Sequence, residues 1–148
     1  MQLFHRAETY IKKVSWIPGI AMIAVVNSLS MYATHEDSDI DLFVVTEPGM
    51  IWLVRFCITM QLYLHGVWRH GEDIRGNFCL SFFVTTDALS MKEIAIEDDI
   101  YLYNWIASMK PLYVRAHTYT KFLQRNNWVH IPPENRKENL RYCTPAPQ

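Results

Sequence analysis

The sequence predicts an α/β (α+β) domain, a small mixed sheet flanked by helices. Three observations carry this expectation. Apolar residues recur at three- and four-residue steps near the start of the chain and again over residues 102–109. Between these stretches lie short, nearly continuous apolar runs, Ile20 to Val26 and Ile40 to Thr46. Such runs have the length and composition of strands buried on both faces. The segments then follow one another as helix, strand, loop, strand, helix, strand, helix.

Each element has its own signal. Leu3, Phe4, Ala7, Ile11 and Val14 give an amphipathic helix over residues 3–14, and Pro18-Gly19 stops it. The first strand covers residues 20–26, a polar loop runs from Asn27 to Ser38, and the second strand covers residues 40–46. Thr46-Glu47-Pro48 reads as a helix start, with proline near the first turn and an acid at the positive end of the dipole. A long helix over residues 48–66 follows, then a loop bounded by Gly66 and Gly76. Phe78 to Thr85 is aromatic and β-branched, a third strand. Leu102, Trp105, Ile106 and Met109 predict a helix over residues 98–110, closed by Pro111. A short helix over residues 118–126 completes a domain spanning residues 1–130. Residues 131–148, rich in proline and charge, are expected to be extended or disordered.

Composition excludes several classes. Half of the 148 residues are apolar and 20% are charged, so the chain is neither disordered nor collagen-like. Fourteen Lys and Arg oppose fifteen Asp and Glu, a net charge of −1. That balance gives no strong nucleic-acid signal and no electrostatic membrane docking. The polar, helix-patterned first eight residues do not read as a secretory signal. Cys57, Cys79 and Cys143 form no Cys-x-x-Cys pair, which fits a reducing, cytoplasmic compartment and small apolar fillers. Residues 49–68 approach the length of a bilayer span, but Arg55 stands within them. No membrane span is expected there. A helix apolar on nearly all sides points instead to a homodimer or a partner protein packed along residues 48–66.

Chemistry concentrates in residues 27–45. Asp39 and Asp41 sit two apart at a strand start, so alternation sends both side chains to one face, about 7 Å apart. Carboxylates so placed repel unless a cation lies between them, and oxygen-only ligands select Mg²⁺ or Mn²⁺. Asp at a strand start also ends loops, and two acids on a wetted face are unremarkable. The preceding strand ends in Asn27-Ser28, where a turn of small residues would expose amide N–H groups able to cradle phosphate. His35 and Glu36 are read as solvated loop, His65, Arg69, His70 and Arg75 as a polar connection. Lys110 and Arg115 are read as balancing a helix C-terminus, and Tyr101, Tyr103, Trp105 and Tyr113 as core and rim aromatics.

This arrangement resembles the DNA polymerase beta-like nucleotidyltransferase superfamily, especially its small (minimal) bacterial and archaeal members. There an apolar strand ends in Gly-Ser or Gly-Gly, and the next begins with Asp-x-Asp, commonly within Ser-Asp-Ile-Asp-Leu. Ser38-Asp39-Ile40-Asp41-Leu42 matches that run residue for residue, and Ser28 stands where the family's phosphate-contacting serine does. The matching segment is about residues 20–46. The resemblance implies a nucleotidyltransferase fold and transfer of NMP from a nucleoside triphosphate to a hydroxyl of an unidentified acceptor. It implies that Asp39 and Asp41 are catalytic and bind Mg²⁺ or Mn²⁺, and that Asn27, Ser28 and Ser38 bind the nucleotide. Asn27 replaces the family's glycine, and Leu29 and Tyr32 replace a basic residue and a later glycine. The third family carboxylate is expected on the next strand, where Cys79 and Ser81 occupy that face; Asp73 and Asp87 flank it. Without that acid, the same fold could serve as a catalytically degenerate binding or regulatory module of antitoxin or partner-protein type.

Overall fold

The computed structural model describes residues 2–27, 38–68 and 77–145. Helix α1 (Gln2–Val14) precedes strand β1 (Ile20–Val26), strand β2 (Ile40–Thr46) and helix α2 (Ile51–Leu64). Strand β3 (Phe78–Thr85), a single 3₁₀ turn (Lys92–Ile94) and helix α3 (Ile100–Ser108) follow. Strand β4 (Lys110–Val114), helix α4 (Thr118–Arg125), helix α5 (Pro133–Asn139) and the two-residue strand β5 (Thr144–Pro145) end the described chain.

The five strands form one mixed sheet in the order β3-β2-β1-β4-β5. β1 pairs antiparallel with β2 and β4, whereas β2–β3 and β4–β5 are parallel. Because β1 and β2 lie inside the sheet, both of their faces are covered. Ile23, Val25, Ile40, Leu42 and Val44 pack with α1 and α2 through Phe4, Ile11, Val54 and Ile58. Met22, Ala24, Val26, Phe43 and Val45 pack on the opposite side with Trp105, Ile106, Tyr119 and Phe122 of α3 and α4. Burying such a side chain stabilises the fold by about 1.5–3 kcal/mol, which is why these runs show no polar alternation.

Three expectations change. The helix expected over residues 98–110 stops at Ser108, and Lys110–Val114 is a sheet strand. Pro111 ends no helix; it faces Ala24 at an irregularity in the register, a position that tolerates its missing N–H. Lys110 is accordingly a buried strand residue, not a helix-end charge. The segment after residue 130, expected to be extended or disordered, carries α5 and β5 and buries Ile131 and Asn139. The long helix also starts later than Pro48, at Ile51. Glu47 caps no helix but accepts a 2.7 Å hydrogen bond from the Arg115 guanidinium, and Gly19 takes a positive φ of 90° against the Met50 side chain.

One helix is only half covered. α2 buries Val54, Ile58 and Leu62 but leaves Trp52, Leu53, Phe56, Met60, Tyr63 and Leu64 exposed, Trp52 by 80%. No helix among the described residues is long and apolar enough to cross a membrane.

Candidate functional site

The site is built where three strand ends meet. Antiparallel pairing sets Val26, the last residue of β1, beside Asp41, and parallel pairing sets Cys79 on the other side of Asp41. Paired residues share a face, so alternation places Asp41 in line with Phe43 and Val45, on the α3–α4 side of the sheet. Phe43 is sealed beneath Trp105 and Phe122, with ring centroids 5.1 and 5.5 Å away. Two residues earlier that cover gives out, and Asp39 and Asp41 are half-buried at its rim. The start of β2 is anchored by the Ile40 N–H, which donates to the Asn77 carbonyl at 2.8 Å.

One carboxylate oxygen each of Asp39 and Asp41 and the Cys79 Sγ all lie within 4.8 Å of one another. Two anionic carboxylates at this range repel by roughly 1–3 kcal/mol at a partly wetted site. A divalent ion between them turns that repulsion into binding. Donors about 2.1–2.3 Å from one ion are separated by at most about 4.4 Å, so small side-chain rotations close the set. The residues present thus fit a divalent cation, with no ion species singled out by geometry alone.

A bulge in β3 adds a fourth member. The register runs Asp41–Cys79 and Leu42–Leu80, then jumps to Phe43–Phe82, which leaves Ser81 as the extra residue. Phe82 thereby returns to the Phe43 face, 6.2 Å from its ring. Ser81 is pushed toward the acids, where its hydroxyl donates to Asp41 Oδ1 at 2.6 Å. At the end of β1, Asn27 adopts a left-handed backbone with φ 61°, a conformation asparagine accepts more readily than most residues. The Tyr101 hydroxyl, from the first turn of α3, donates to Asn27 Oδ1 at 2.8 Å.

Of the residues singled out from sequence, Asp39 and Asp41 come together, Ser38 directly precedes them, and Asn27 follows the Val26 that pairs with Asp41. Ser28, Leu29, Tyr32, His35, Glu36, Arg69, His70, Asp73 and Arg75 lie outside the described residues. Asp87 does not join the site. β3 runs parallel to β2, so Asp87 lies beyond its far end, on the order of 20 Å from Cys79, and accepts a hydrogen bond from Thr85. Arg115 balances no helix end and instead pairs with Glu47. Tyr101, taken with the core and rim aromatics, is 67% exposed and holds Asn27. Nothing local to Tyr101 signals this role, because the contact spans 74 residues. A hollow of about 470 Å³ lined by Ile96, Ile100, Tyr103 and Trp128 takes none of the acid-cluster residues.

No family model and no curated protein matches the sequence. Two solved structures are similar to the chain at low identity. A toxin–antitoxin with AMP-PNP is 17% identical, with TM-score 0.46, over 82% of this chain and 87% of that one. A mutant form of the toxin–antitoxin MntA-HpeT is 13% identical, with TM-score 0.44, over 84% of this chain and 87% of that one.

Proposed function

We propose that this chain is a divalent-metal-dependent nucleotidyltransferase that moves an NMP group from a nucleoside triphosphate to a hydroxyl on a small molecule or protein. The observation that supports this best is the meeting of the Asp39 and Asp41 carboxylates, inside the Ser-Asp-Ile-Asp-Leu run and beside the left-handed Asn27. In this reading Asp39 and Asp41 hold Mg²⁺ or Mn²⁺, while Asn27, Ser28 and Ser38 bind the nucleotide, as the resemblance implies. A bound ion supplies charge neutralisation of the triphosphate and activation of the acceptor oxygen. The chain's own contribution is placement. Ser81 fixes one oxygen of Asp41, and Tyr101 fixes the Asn27 side chain at the end of β1.

Calorimetric titration of the parent protein and of Asp39→Asn and Asp41→Asn with Mg²⁺-ATP tests this. Both substitutions abolish metal-dependent binding while far-UV circular dichroism and Tm stay at parent values. Unchanged binding by both variants defeats the reading. Incubation with labelled ATP, GTP, CTP and UTP, with Mg²⁺ or Mn²⁺, then identifies the nucleotide.

A second reading keeps the fold and drops the chemistry: a nucleotidyltransferase-like module that acts by binding a partner protein or a second copy. Two observations favour it. The β3 position beside Asp41 carries Cys79 where the superfamily's acid is wanted, and α2 turns six large apolar side chains to the surface. Light scattering on the purified protein separates the readings. A dimer lost on Trp52→Lys, with no NMP transfer by the parent, supports the second; a monomer that turns over nucleotide removes it.

A further inference from the structure

The three cysteines occupy different surroundings. Cys57, on α2, packs against the apolar cluster beneath that helix, as a small filler does. Cys143 lies near the end of the described chain, where burial raises its thiol pKa and keeps it protonated. Cys79 belongs to neither apolar cluster. Its strand neighbours Phe78 and Leu80 point into the core beneath α1 and α2, and its own side chain points the other way, toward Asp41 and Asp39.

We infer that the Cys79 thiolate is the third protein donor of the cation site and sets its selectivity, tilting the site from Mg²⁺ toward thiophilic divalent ions of the Zn²⁺ class. This rests on the reading of Asp39 and Asp41 as a cation site. Two carboxylate oxygens and one thiolate sulfur form a donor set that Zn²⁺ and Co²⁺ accept readily, whereas Mg²⁺ demands oxygen and sheds its waters reluctantly. Binding would release the thiol proton to solvent. Ser81 adds no metal bond of its own. Its hydroxyl occupies one lone pair of Asp41 Oδ1 and so orients the carboxylate toward the Cys79 side.

Later transition ions bind most sites more tightly than Mg²⁺, so rank order alone decides nothing. The diagnostic is the dependence of that order on Cys79. Co²⁺ serves as the spectroscopic probe, because a thiolate ligand gives a near-ultraviolet charge-transfer band that carboxylates do not. The parent shows the band on Co²⁺ titration, and Cys57→Ala with Cys143→Ala leaves it intact. Cys79→Ser removes the band and weakens Co²⁺ at least about tenfold, with Mg²⁺ affinity moved less than about threefold. Cys79→Asp also lacks the band and strengthens Mg²⁺ roughly tenfold.

If Asp41→Asn abolishes Co²⁺ and Mg²⁺ binding while Cys79→Ser keeps the parent band and affinities, the carboxylate site stands and the inference about Cys79 is overturned. If Asp39→Asn and Asp41→Asn bind both ions like the parent, the nucleotidyltransferase reading falls with it. Retention of parent Tm by Cys79→Ser and Cys79→Ala separates either outcome from loss of folding.

Discussion

Two of the polar clusters among the described residues are finished in opposite ways. Where β4 meets α4 and α5, the Lys110 ammonium donates to Asn139 Oδ1 at 3.1 Å, deep in the protein. The Asn139 amide in turn donates to the Ala107 carbonyl at 2.9 Å and to the Tyr119 hydroxyl at 3.4 Å. The Lys110 cation, its amide partner and the nearby Glu138 carboxylate belong to the chain itself. At the start of β2 two acids and a thiol converge at a half-open rim, where Asp41 takes its hydrogen bond from a neutral hydroxyl. Burial of a charge is tolerable when its partners are fixed in the fold. The first cluster meets that condition and ties the last helix to the sheet. In the proposed reading the second is completed by a cation from outside, and on that reading the first cluster is structural and the second binds.

The two clusters should therefore break differently. The largest effect is expected for Asp41→Asn, with a loss of nucleotidyl transfer on the order of a thousandfold, about 4 kcal/mol. Its unfolding free energy in urea should remain within about 0.5 kcal/mol of the parent, because the substitution also relieves carboxylate repulsion. Next comes Asn139→Ala, which removes the Oδ1 acceptor of the buried Lys110 ammonium and should cost about 2 kcal/mol of stability by urea denaturation. Metal affinity of the folded fraction should stay unchanged. Ser81→Ala frees the Asp41 carboxylate and should weaken divalent-ion binding by roughly tenfold, with little change in Tm.

The smallest effect is a pH dependence of stability in the structural cluster. Burial lowers the Lys110 pKa, with Glu138 opposing the shift, so the unfolded chain holds that proton at pH values where the folded chain has released it. Stability from this group therefore rises with pH from the lowered folded value up to the ordinary lysine value of about 10.4. Burial raises the Tyr119 pKa, with the Asn139 hydrogen bond opposing, so its term falls as pH passes the ordinary tyrosine value of about 10. Urea denaturation of the parent and Lys110→Met across this alkaline range isolates the rising term. The stability difference between them should shift in the parent's favour as pH rises, and a difference independent of pH would remove the argument.

Much of this organisation is legible in the residues, and the exceptions have physical causes. β1 and β2 follow their apolar runs because strands inside a sheet are covered on both faces, while β3, at the sheet edge, is marked by its aromatic and β-branched residues. Asp39 and Asp41 could be placed on one side of β2 from the two-residue period alone. β4 was hidden by Pro111, which argues against an internal strand until the irregular register opposite Ala24 is known. α5 was hidden by composition: Pro133–Asn139 is polar along most of its length, and its anchor is the single buried amide of Asn139. The bulge that delivers Ser81 depends on how Phe82 packs against Phe43 and Trp105, a tertiary fact with no local signature. Tyr101 reaches Asn27 only after α3 has packed on the sheet.

The most direct test of the cation site is anomalous diffraction from a crystal of the parent protein soaked in Mn²⁺, collected beside Asp41→Asn treated identically. The account predicts an anomalous peak within about 2.3 Å of oxygens from both Asp39 and Asp41, missing in the variant. A parent map with no peak at that position, or one with the two carboxylates turned away from each other, would contradict it.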